Sequence, residues 1–327
     1  MYIAVIYCST SVVVPGREIE KLADCEIGDT AAAVKSALEN GGHRVDLVRF
    51  DPQQAKELCK YEWIFNLAES ICGSSLTDHQ VAAMMEEMGI PFTGSGSATL
   101  RTCLYKSSAK AHLQKYGIRT PRFETVNPGD KANTKLEFPL IVKPDHEDGS
   151  IGIQADSVVQ SVAELVRKIE EIHLVYGETA LIEEYIDGRE ITASVIGNGD
   201  NIIVFPLSEI TFSDDYVGPR ILTYEEKWVE ESQAFKKSAA HCPCTLDEWI
   251  QGDIKSVAGE VVKILECRDY TRVDLRLKGD RPYVIEVNPN PCINPIETGY
   301  IRAGNAYGLS YDEIINDILR HSILRGK

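Results

Sequence analysis

The stretch YTRVDLRLKGDRPYVIEVNPNP, residues 270–291, predicts a β-hairpin near the C-terminus. Its two apolar segments, Tyr270 to Leu277 and Pro282 to Pro289, have the length and composition of strands, and the turn Lys278-Gly279-Asp280 separates them. The asparagines and prolines of residues 288–291 end the second strand. Polar residues just before this end therefore lie at the mouth of the hairpin, where binding sites concentrate.

Four polar residues of this hairpin form one predicted cluster. Side chains alternate with a period of two along a strand, so Arg272 and Asp274 share one face. Glu286 and Asn288 share another face, which the hairpin brings alongside. Two carboxylates and a carboxamide suit a hard cation that holds phosphate oxygens, and a guanidinium suits a developing oxyanion. The alternative is a plain polar outer face on an antiparallel pair.

Length and composition are typical of a globular protein with two or three compact units. The chain has 327 residues, of which 43% are hydrophobic and 26% are charged, so real cores can form. No run of about 18 apolar residues predicts a membrane span. Residues 1–7 indicate a buried strand rather than a signal peptide. We therefore predict a cytoplasmic protein with no membrane partner.

The charge of the chain bears on its partners. A formal net charge of -16 argues against a nucleic-acid partner, because a polyanion needs a basic face. Nine cysteines are scattered without paired spacing, and Cys242-Pro243-Cys244 is too tight for half of a usual zinc site. The cysteines indicate small buried hydrophobes. The sequence thus favours small-molecule substrates.

The first 90 residues alternate between strand and helix patterns. Strands are predicted at residues 2–7, 44–49 and 63–67, and helices at 30–40 and 78–88. This order is typical of a parallel sheet with crossover helices. A long loop, Cys8 to Asp29, is expected between the first strand and the first helix, at the sheet edge where ligands bind.

The middle of the chain contains a candidate phosphate loop. Residues 104–116 predict a helix and Phe138 to Pro144 a strand, and Lys143 precedes the glycine- and serine-containing loop His146 to Ile153. Glycine permits close backbone approach to an anion, and a lysine can neutralise phosphate. The loop lacks the Walker order of residues, and taken alone it also fits a plain turn.

Further elements follow this loop. A helix is predicted at 162–173 and strands at 180–184 and 191–196. The apolar segment near Ile186 followed by Glu190 suits a flat base and ribose hydroxyls, although a charged strand edge is equally consistent.

The order of motifs along nearly the whole chain resembles the ATP-grasp superfamily and, within it, the D-alanine–D-alanine ligase family. The motifs are Phe65-Asn66-Leu67-Ala68-Glu69, Gly89 to Ser95, Tyr105-Lys106, Ile141-Val142-Lys143-Pro144, Leu181 to Tyr185, Lys227, Arg272-Val273-Asp274 and Glu286-Val287-Asn288. The resemblance implies an α/β, three-domain ATP-grasp architecture with an N-terminal parallel-sheet domain at 1–95, a central lid domain at 96–186 and a catalytic domain at 187–327. The nucleotide is expected between the central and C-terminal α+β domains, and a homodimer through the first domain.

The resemblance also implies the following roles for residues of this sequence. Lys106, Lys143 and Lys227 would hold ATP phosphates, Glu183, Glu184 and the backbone near Ile186 would read adenine, and Glu190 would bind ribose. Asp274, Glu286 and Asn288 would coordinate two magnesium ions, with manganese as an alternative. Arg272, Lys227 and Ser150, the last in a lid at 148–153, would act in catalysis, and Arg272 with the backbone near Cys292 would steady the tetrahedral intermediate.

Departures from the family pattern bear on the substrate. Gly149 and Trp228 stand where the family pairs a serine with a tyrosine, so the usual lid contact is expected to be absent or remade. Glu297 or a neighbour replaces the family's serine that receives the carboxylate of the second amino acid, and a carboxylate there should repel a carboxylate and attract an amine or a cation. The residues predicted to recognise substrate are Glu26, Glu69, Asn290, Cys292, Glu297 and Arg302.

The sequence thus predicts an ATP-dependent carboxylate–amine ligase that forms an amide through an acyl phosphate. Phosphorylation turns a poor leaving group into a good one. A non-standard amino acid or a secondary-metabolite acid is the expected substrate. The alternatives are a nonenzymatic nucleotide-binding module and an acid phosphotransferase with the same fold.

Overall fold

Three β-sheets organise the part of the chain that the structure describes. This computed structural model describes residues 1–8, 21–68, 78–229, 231–233, 235–296 and 298–326, with the backbone alone for 21–26. We call the sheets N-terminal, central and C-terminal in chain order. None of the helices in these ranges combines the length and apolar character needed to cross a bilayer.

The N-terminal sheet is parallel, as predicted, with strand order β2-β1-β3. Its strands are β1 (Tyr2–Tyr7), β2 (Arg44–Arg49) and β3 (Trp63–Leu67), and its helices are α1 (Lys21–Asn40) and α2 (Asp78–Glu87), with a 3-10 helix at Pro52–Lys60. The strands have the bounds that the sequence predicted. Residues 3–6 of β1 are fully buried, because helices cover both faces of the sheet.

The predicted loop from Cys8 to Asp29 is wrong in its second half. Helix α1 begins at Lys21 instead of Thr30. Residues 21–27 include good helix formers such as lysine, leucine, alanine and glutamate, and an interior Gly28 costs only about 1 kcal/mol relative to alanine. The glycine is therefore tolerated inside the helix.

The central sheet is antiparallel and has the order β4-β7-β5-β6. It consists of β4 (Phe123–Val126), β5 (Leu140–Pro144), β6 (Val158–Val159) and β7 (Ala180–Glu184), and helix α5 (Val162–Tyr176) packs on it. Strand β5 begins two residues later than predicted, after Pro139, which has no N–H to donate. Helix α5 runs three residues past the predicted His173 and ends at Gly177, whose φ of +68° forms a left-handed cap.

The C-terminal sheet has the strand order β11-β10-β8-β12-β13, and β9 pairs with β8. Its strands are β8 (Arg189–Asn198), β9 (Asn201–Val204), β10 (Ser208–Phe212), β11 (Ser238–His241), β12 (Tyr270–Lys278) and β13 (Arg281–Asn288). The predicted hairpin is β12 and β13. The register shifts between Asp274, opposite Glu286, and Leu275, opposite Val284, so Ile285 is an extra residue of a β-bulge.

The described residues form six further α-helices and two short 3-10 helices, Ala155–Ser157 and Phe235–Lys237. The α-helices are α3 (Ser97–Leu104), α4 (Lys106–Lys115), α6 (Tyr224–Trp228), α7 (Glu248–Ile264), α8 (Gly299–Tyr307) and α9 (Tyr311–Arg325). The single helix predicted at 104–116 is wrong: Tyr105 has an extended backbone, so Lys106 begins a separate helix. Leu113 of α4 packs in the core of the C-terminal sheet, which fixes the helix beside β13. The domain divisions at residues 95 and 186 stay predictions.

A buried carboxylate joins the N-terminal and C-terminal units. Asp269 is fully buried and accepts hydrogen bonds from the Gly94 N–H at 2.8 Å and the Asn198 amide at 2.9 Å. Arg325, at the end of α9, forms an ion pair with it at 3.0 Å and also donates to the Phe92 carbonyl at 2.9 Å. One charged group therefore ties two units and the last helix together.

We expect Asp269→Asn to lower the free energy of unfolding by about 3 kcal/mol. The change removes the negative charge that pairs with Arg325, and it places an amide N–H₂ group against N–H groups that now donate to the carboxylate. Asparagine tolerates the left-handed backbone of residue 269, where φ is +64°, so the change isolates the charge. Urea denaturation followed by circular dichroism measures the loss. The matched control is Asp200→Asn, an exposed carboxylate paired with Lys263, which should cause no measurable change. Equal effects of the two variants would contradict this role of Asp269.

Candidate active site

Helix α4 carries two buried lysines on one face. Lys106 and Lys110 are four residues apart, the spacing that places side chains on the same side of a helix. The ammonium of Lys106 lies 2.9 Å from Glu286 of β13 and also donates to the Glu147 carbonyl. The ammonium of Lys110 lies 3.0 Å from Glu183 of β7. One helix face thus contacts acids of both the C-terminal and the central sheet.

Glu183 is the most enclosed acid of the site. It is 1% exposed and lies between Lys110 and Lys143, the latter 3.1 Å from its second oxygen. Burial raises the pKa of Glu183, but the two lysines overcome this and hold it below its ordinary value. Burial, together with repulsion by Lys143, lowers the pKa of Lys110 to about 8 against the attraction of Glu183. In this structure Glu183 positions Lys143.

Lys110 was missed by the sequence predictions. Its ammonium donates to the carbonyl of Ile285, the bulged residue of β13, as well as pairing with Glu183. A bulge frees a carbonyl from the ladder, and the lysine satisfies it. The i+4 spacing from Lys106 was the sequence signal that pointed to this residue.

The hairpin acids come together on one face. Asp274 lies directly opposite Glu286 in the register, and Arg272 opposite Asn288. Asp274 accepts a forked contact from Arg272, with Nη2 at 3.0 Å, and a hydrogen bond from the Asn288 amide at 3.2 Å. Thr192 of β8 donates to its other oxygen at 3.1 Å. These contacts fix the orientation of the Asp274 carboxylate.

This donor set fits an oxygen-seeking divalent cation. Burial raises the pKa of Glu286, but Lys106 and further contacts hold it well below its ordinary value, so the group is ionised at neutral pH. Burial lowers the pKa of Lys106, but Glu286 and its neighbours raise it above its usual range. Asp274 and Glu286 thus present carboxylate oxygens at fixed positions beside the Asn288 amide, and oxygen ligands are those that Mg²⁺ prefers.

A second group of contacts surrounds Ile186 and Glu190. The guanidinium of Arg276 donates to the Ile186 carbonyl at 3.2 Å and the Arg220 carbonyl at 2.7 Å, and pairs with Glu190 at 2.9 Å. Its Nη2 is buried and has no hydrogen-bond partner among the described residues. Sequence reasoning missed Arg276, which lies on β12 four residues beyond Arg272. Glu184 instead points to Arg122, at 3.3 Å.

The lid contact is remade. The indole N–H of Trp228 donates to the Gly149 carbonyl at 2.9 Å, and the Ser150 hydroxyl donates to the Leu222 carbonyl at 2.8 Å. Ser150 adopts a φ of +65°. Lys227 of α6 is half-buried, and burial together with the nearby Arg272 lowers its pKa. The segments 149–150 and 222–228 therefore hold each other over the acid cluster.

The residues predicted to bind substrate do not form one cluster among the described residues. The Asn290 side chain accepts a hydrogen bond from the Ser95 N–H at 2.9 Å, so it joins two units of the chain. Cys292 is exposed and Arg302 is half-buried. Glu69 and Glu297 lie outside the described residues, as does the side chain of Glu26, whose backbone belongs to α1 instead of the predicted loop.

Comparisons with known proteins show which proteins this chain resembles. The family model described as D-ala D-ala ligase C-terminus matches residues 113–320. The uncharacterised protein y4sG of Sinorhizobium fredii is 33% identical over 303 residues, which cover 89% of this chain and 87% of that protein. The D-alanine–D-alanine ligase of Cupriavidus necator is 28% identical over 325 residues, which cover 96% of this chain and 91% of the ligase.

Solved structures share the whole fold. The crystal structure of D-alanine–D-alanine ligase from Bacillus anthracis complexed with ATP has a TM-score of 0.76 at 21% identity, and covers 99% of this chain and 98% of that one. A second structure of that enzyme has a TM-score of 0.78 at 23% identity with the same coverage. The predicted ATP-grasp fold class is confirmed. With a family model matching well over half its length, the chain belongs to the D-alanine–D-alanine ligase family of ATP-grasp proteins.

Proposed function

We propose that this protein is an ATP-dependent ligase that joins a carboxylic acid to an amine through an acyl phosphate. Membership of a family of carbon–nitrogen ligases supports the reaction class. The observation that carries the proposal is the cluster in which Lys106, Lys110 and Lys143 meet Glu183 and Glu286 between two sheets. Such a concentration of fixed charge suits a triphosphate and its cations.

The phosphate tail of ATP is assigned to Lys106, Lys143 and Lys227. The first two are buried lysines held by Glu286 and Glu183, so their positions are set before nucleotide binds. Lys227 comes from α6 and faces the same cluster from the lid side. Fixed ammonium groups lower the cost of bringing a second anion, the acid substrate, close to the terminal phosphate.

Asp274, Glu286 and Asn288 are the residues that would hold magnesium, as two ions in the proposed arrangement, with manganese as an alternative. When bound, magnesium neutralises phosphate oxygens and orients the transferring group. Asp274 is oriented by Thr192 and Arg272, and Glu286 is held ionised. The ion number rests on the family resemblance.

In the proposed mechanism Arg272 stabilises developing negative charge, and the lid excludes water. The Arg272 guanidinium, fixed by its fork onto Asp274, stabilises negative charge that develops when the amine attacks the acyl phosphate. The contacts from Trp228 to Gly149 and from Ser150 to Leu222 close two loops above the cluster. Closure excludes water, which would otherwise hydrolyse the acyl phosphate.

The base and ribose of ATP are assigned to a wall formed by Ile186 and Glu190, and Glu184 would exchange its contact with Arg122 for a contact with the base. Arg276 positions this wall, since it holds both the Ile186 carbonyl and the Glu190 carboxylate. Its buried Nη2 has no hydrogen-bond partner among the described residues, so this guanidinium retains an unused donor. Arg276 thereby joins the residues predicted from sequence as a nucleotide-positioning residue.

The substrates are an acid and an amine, with a non-standard amino acid or a secondary-metabolite acid as the preferred class. Their proposed contacts are Glu26, Glu69, Asn290, Cys292, Glu297 and Arg302. A cytoplasmic homodimer without nucleic-acid or membrane partners completes the proposal. A nonenzymatic binding module is disfavoured, because the lysine, arginine and carboxylate set is intact. An acid phosphotransferase is disfavoured by membership of a ligase family.

Release of ADP and phosphate, measured with panels of acids and amines, tests this function. We expect release only when an acid and an amine are both supplied, together with a new amide detected by mass spectrometry. Release with an acid alone, at full rate and with an acyl phosphate as the end product, would identify a phosphotransferase. Nucleotide binding without release for every pair would identify a binding module.

We expect Glu286→Gln to reduce magnesium-dependent turnover at least about 100-fold, because it removes a carboxylate from the proposed cation site and the partner of Lys106. Steady-state kinetics over a magnesium titration measure the effect. The matched control, Glu39→Gln, changes an exposed carboxylate on α1 and should retain normal turnover. Near-normal rates for Glu286→Gln, with the fold intact by circular dichroism, would remove Glu286 from the metal site.

We expect Trp228→Phe to raise the amount of ATP consumed per amide formed about 3- to 10-fold, the equivalent of one lost hydrogen bond to the lid. The benzyl side chain keeps the apolar packing but cannot donate to Gly149. Parallel assays of ADP and of amide measure the ratio. Trp249→Phe, on the exposed face of α7, is the control and should leave it unchanged. An unchanged ratio in both variants would show that this contact does not protect the intermediate.

A further inference from the structure

A histidine and two glutamates meet beyond the end of β5, and none of their side chains has a role in the proposed ligase reaction. Their ligand atoms, one each from His146, Glu147 and Glu178, all lie within 4.8 Å of one another. Glu147 and Glu178 are buried, at 7% and 8% exposure, and His146 is half-buried. We propose that these three side chains form a binding site for a first-row transition dication of the zinc type, separate from the magnesium site at Glu286.

The backbone places these residues opposite one another. Strands β5 and β7 pair with Pro144 opposite Ala180, and the Asp145 N–H continues the ladder by donating to the Thr179 carbonyl at 3.1 Å. One step further along the same register sets His146 opposite Glu178. Cross-strand neighbours are close enough for direct side-chain contact. The pairing of the two strands therefore places the imidazole of His146 and the carboxylate of Glu178 where both can bind one metal ion.

The local contacts make this a built site instead of a chance surface cluster. Nε2 of His146 lies 2.6 Å from one oxygen of Glu178. The other oxygen of Glu178 is buried and has no hydrogen-bond partner among the described residues. An unsatisfied buried carboxylate oxygen is costly, and a cation would satisfy it. This orphaned oxygen is the observation, independent of the clustering, that points to a ligand.

The donor types select the metal class. One imidazole nitrogen with two carboxylate oxygens is a mixed set that suits zinc and its first-row neighbours, whereas magnesium prefers oxygen ligands alone. Bonds of about 2.1 Å in a tetrahedron require ligand atoms about 3.4 Å apart. Small side-chain rotations reach that spacing if they widen the 2.6 Å contact between His146 and Glu178 and shorten the longer separations, all of which are within 4.8 Å.

The site lies at the root of the lid. The Glu147 carbonyl accepts a hydrogen bond from Lys106, and the Asp145 side chain accepts from the Ser107 N–H at 2.8 Å and its hydroxyl at 2.6 Å. A dication on His146, Glu147 and Glu178 would link the start of the 148–153 loop to the segment before β7. Metal binding would thereby fix the base from which the lid moves.

Equilibrium binding of Zn²⁺ to the metal-stripped full-length protein, in excess Mg²⁺ to occupy the Glu286 site, tests the proposal. We expect one tightly retained equivalent of zinc, a thermal midpoint that rises with zinc concentration, and at least about 10-fold weaker binding in both His146→Gln and Glu178→Gln. Failure to retain zinc, or unchanged affinity in both variants, would overturn it. The metal-free variants are first checked for an intact fold by circular dichroism, and Glu147→Gln provides a third variant.

A competing thiol site is separated by two further measurements. His241→Gln changes an exposed histidine beside Cys242 and Cys244, and should retain the zinc affinity of the parent protein. Co²⁺ bound at the proposed site should lack the charge-transfer absorption of a thiolate ligand. Loss of zinc binding in His241→Gln, or a thiolate band with Co²⁺, would place the metal at the cysteines and overturn the proposal. These outcomes are independent of ligase activity.

Discussion

The site depends on the two buried lysines of one helix. Lys106 and Lys110 lie four residues apart on α4, and they contact Glu286 of the C-terminal sheet and Glu183 of the central sheet. Each contact brings an acid and a base out of water, which is costly unless the pair is well formed. The helix core residue Leu113 is packed with the C-terminal sheet, so this helix sets the position at which acids of the two sheets face each other.

The same contacts prepare the cleft for a polyanion and its cations. Glu183 holds Lys143, Lys106 compensates Glu286, and Arg272 compensates Asp274. Glu183 and Glu286 are thus kept ionised, and lysines are kept where phosphate oxygens are expected. Orientation before binding is the main contribution that a protein makes to phosphoryl transfer, because little reorganisation remains for the reaction itself.

Local sequence determined much of the fold and part of the site. The three N-terminal strands were predictable from buried apolar runs bounded by turn residues, and the hairpin acids from the period of two along a strand. The break between helices α3 and α4 at Tyr105 could not be predicted, because it depends on a hydrogen bond from the Lys106 N–H to the carbonyl of Asp145, which is distant in sequence. Lys110 and Arg276 were missed although both pair with predicted acids, Glu183 and Glu190, because each pair is far apart in sequence and only packing brings it together. The hydrogen bond from Trp228 to the Gly149 carbonyl was not predicted as such. The sequence indicated only that the family's usual lid contact would be absent or remade.

The most direct test of this account is a crystal structure of the protein with a nonhydrolysable ATP analogue and Mn²⁺, in which anomalous scattering locates the metal. The account predicts manganese among Asp274, Glu286 and Asn288, with phosphate oxygens on Lys106 and Lys143 and the base beside Ile186. A nucleotide bound elsewhere, with the Lys106–Glu286 pair intact and no metal at the hairpin, would contradict it.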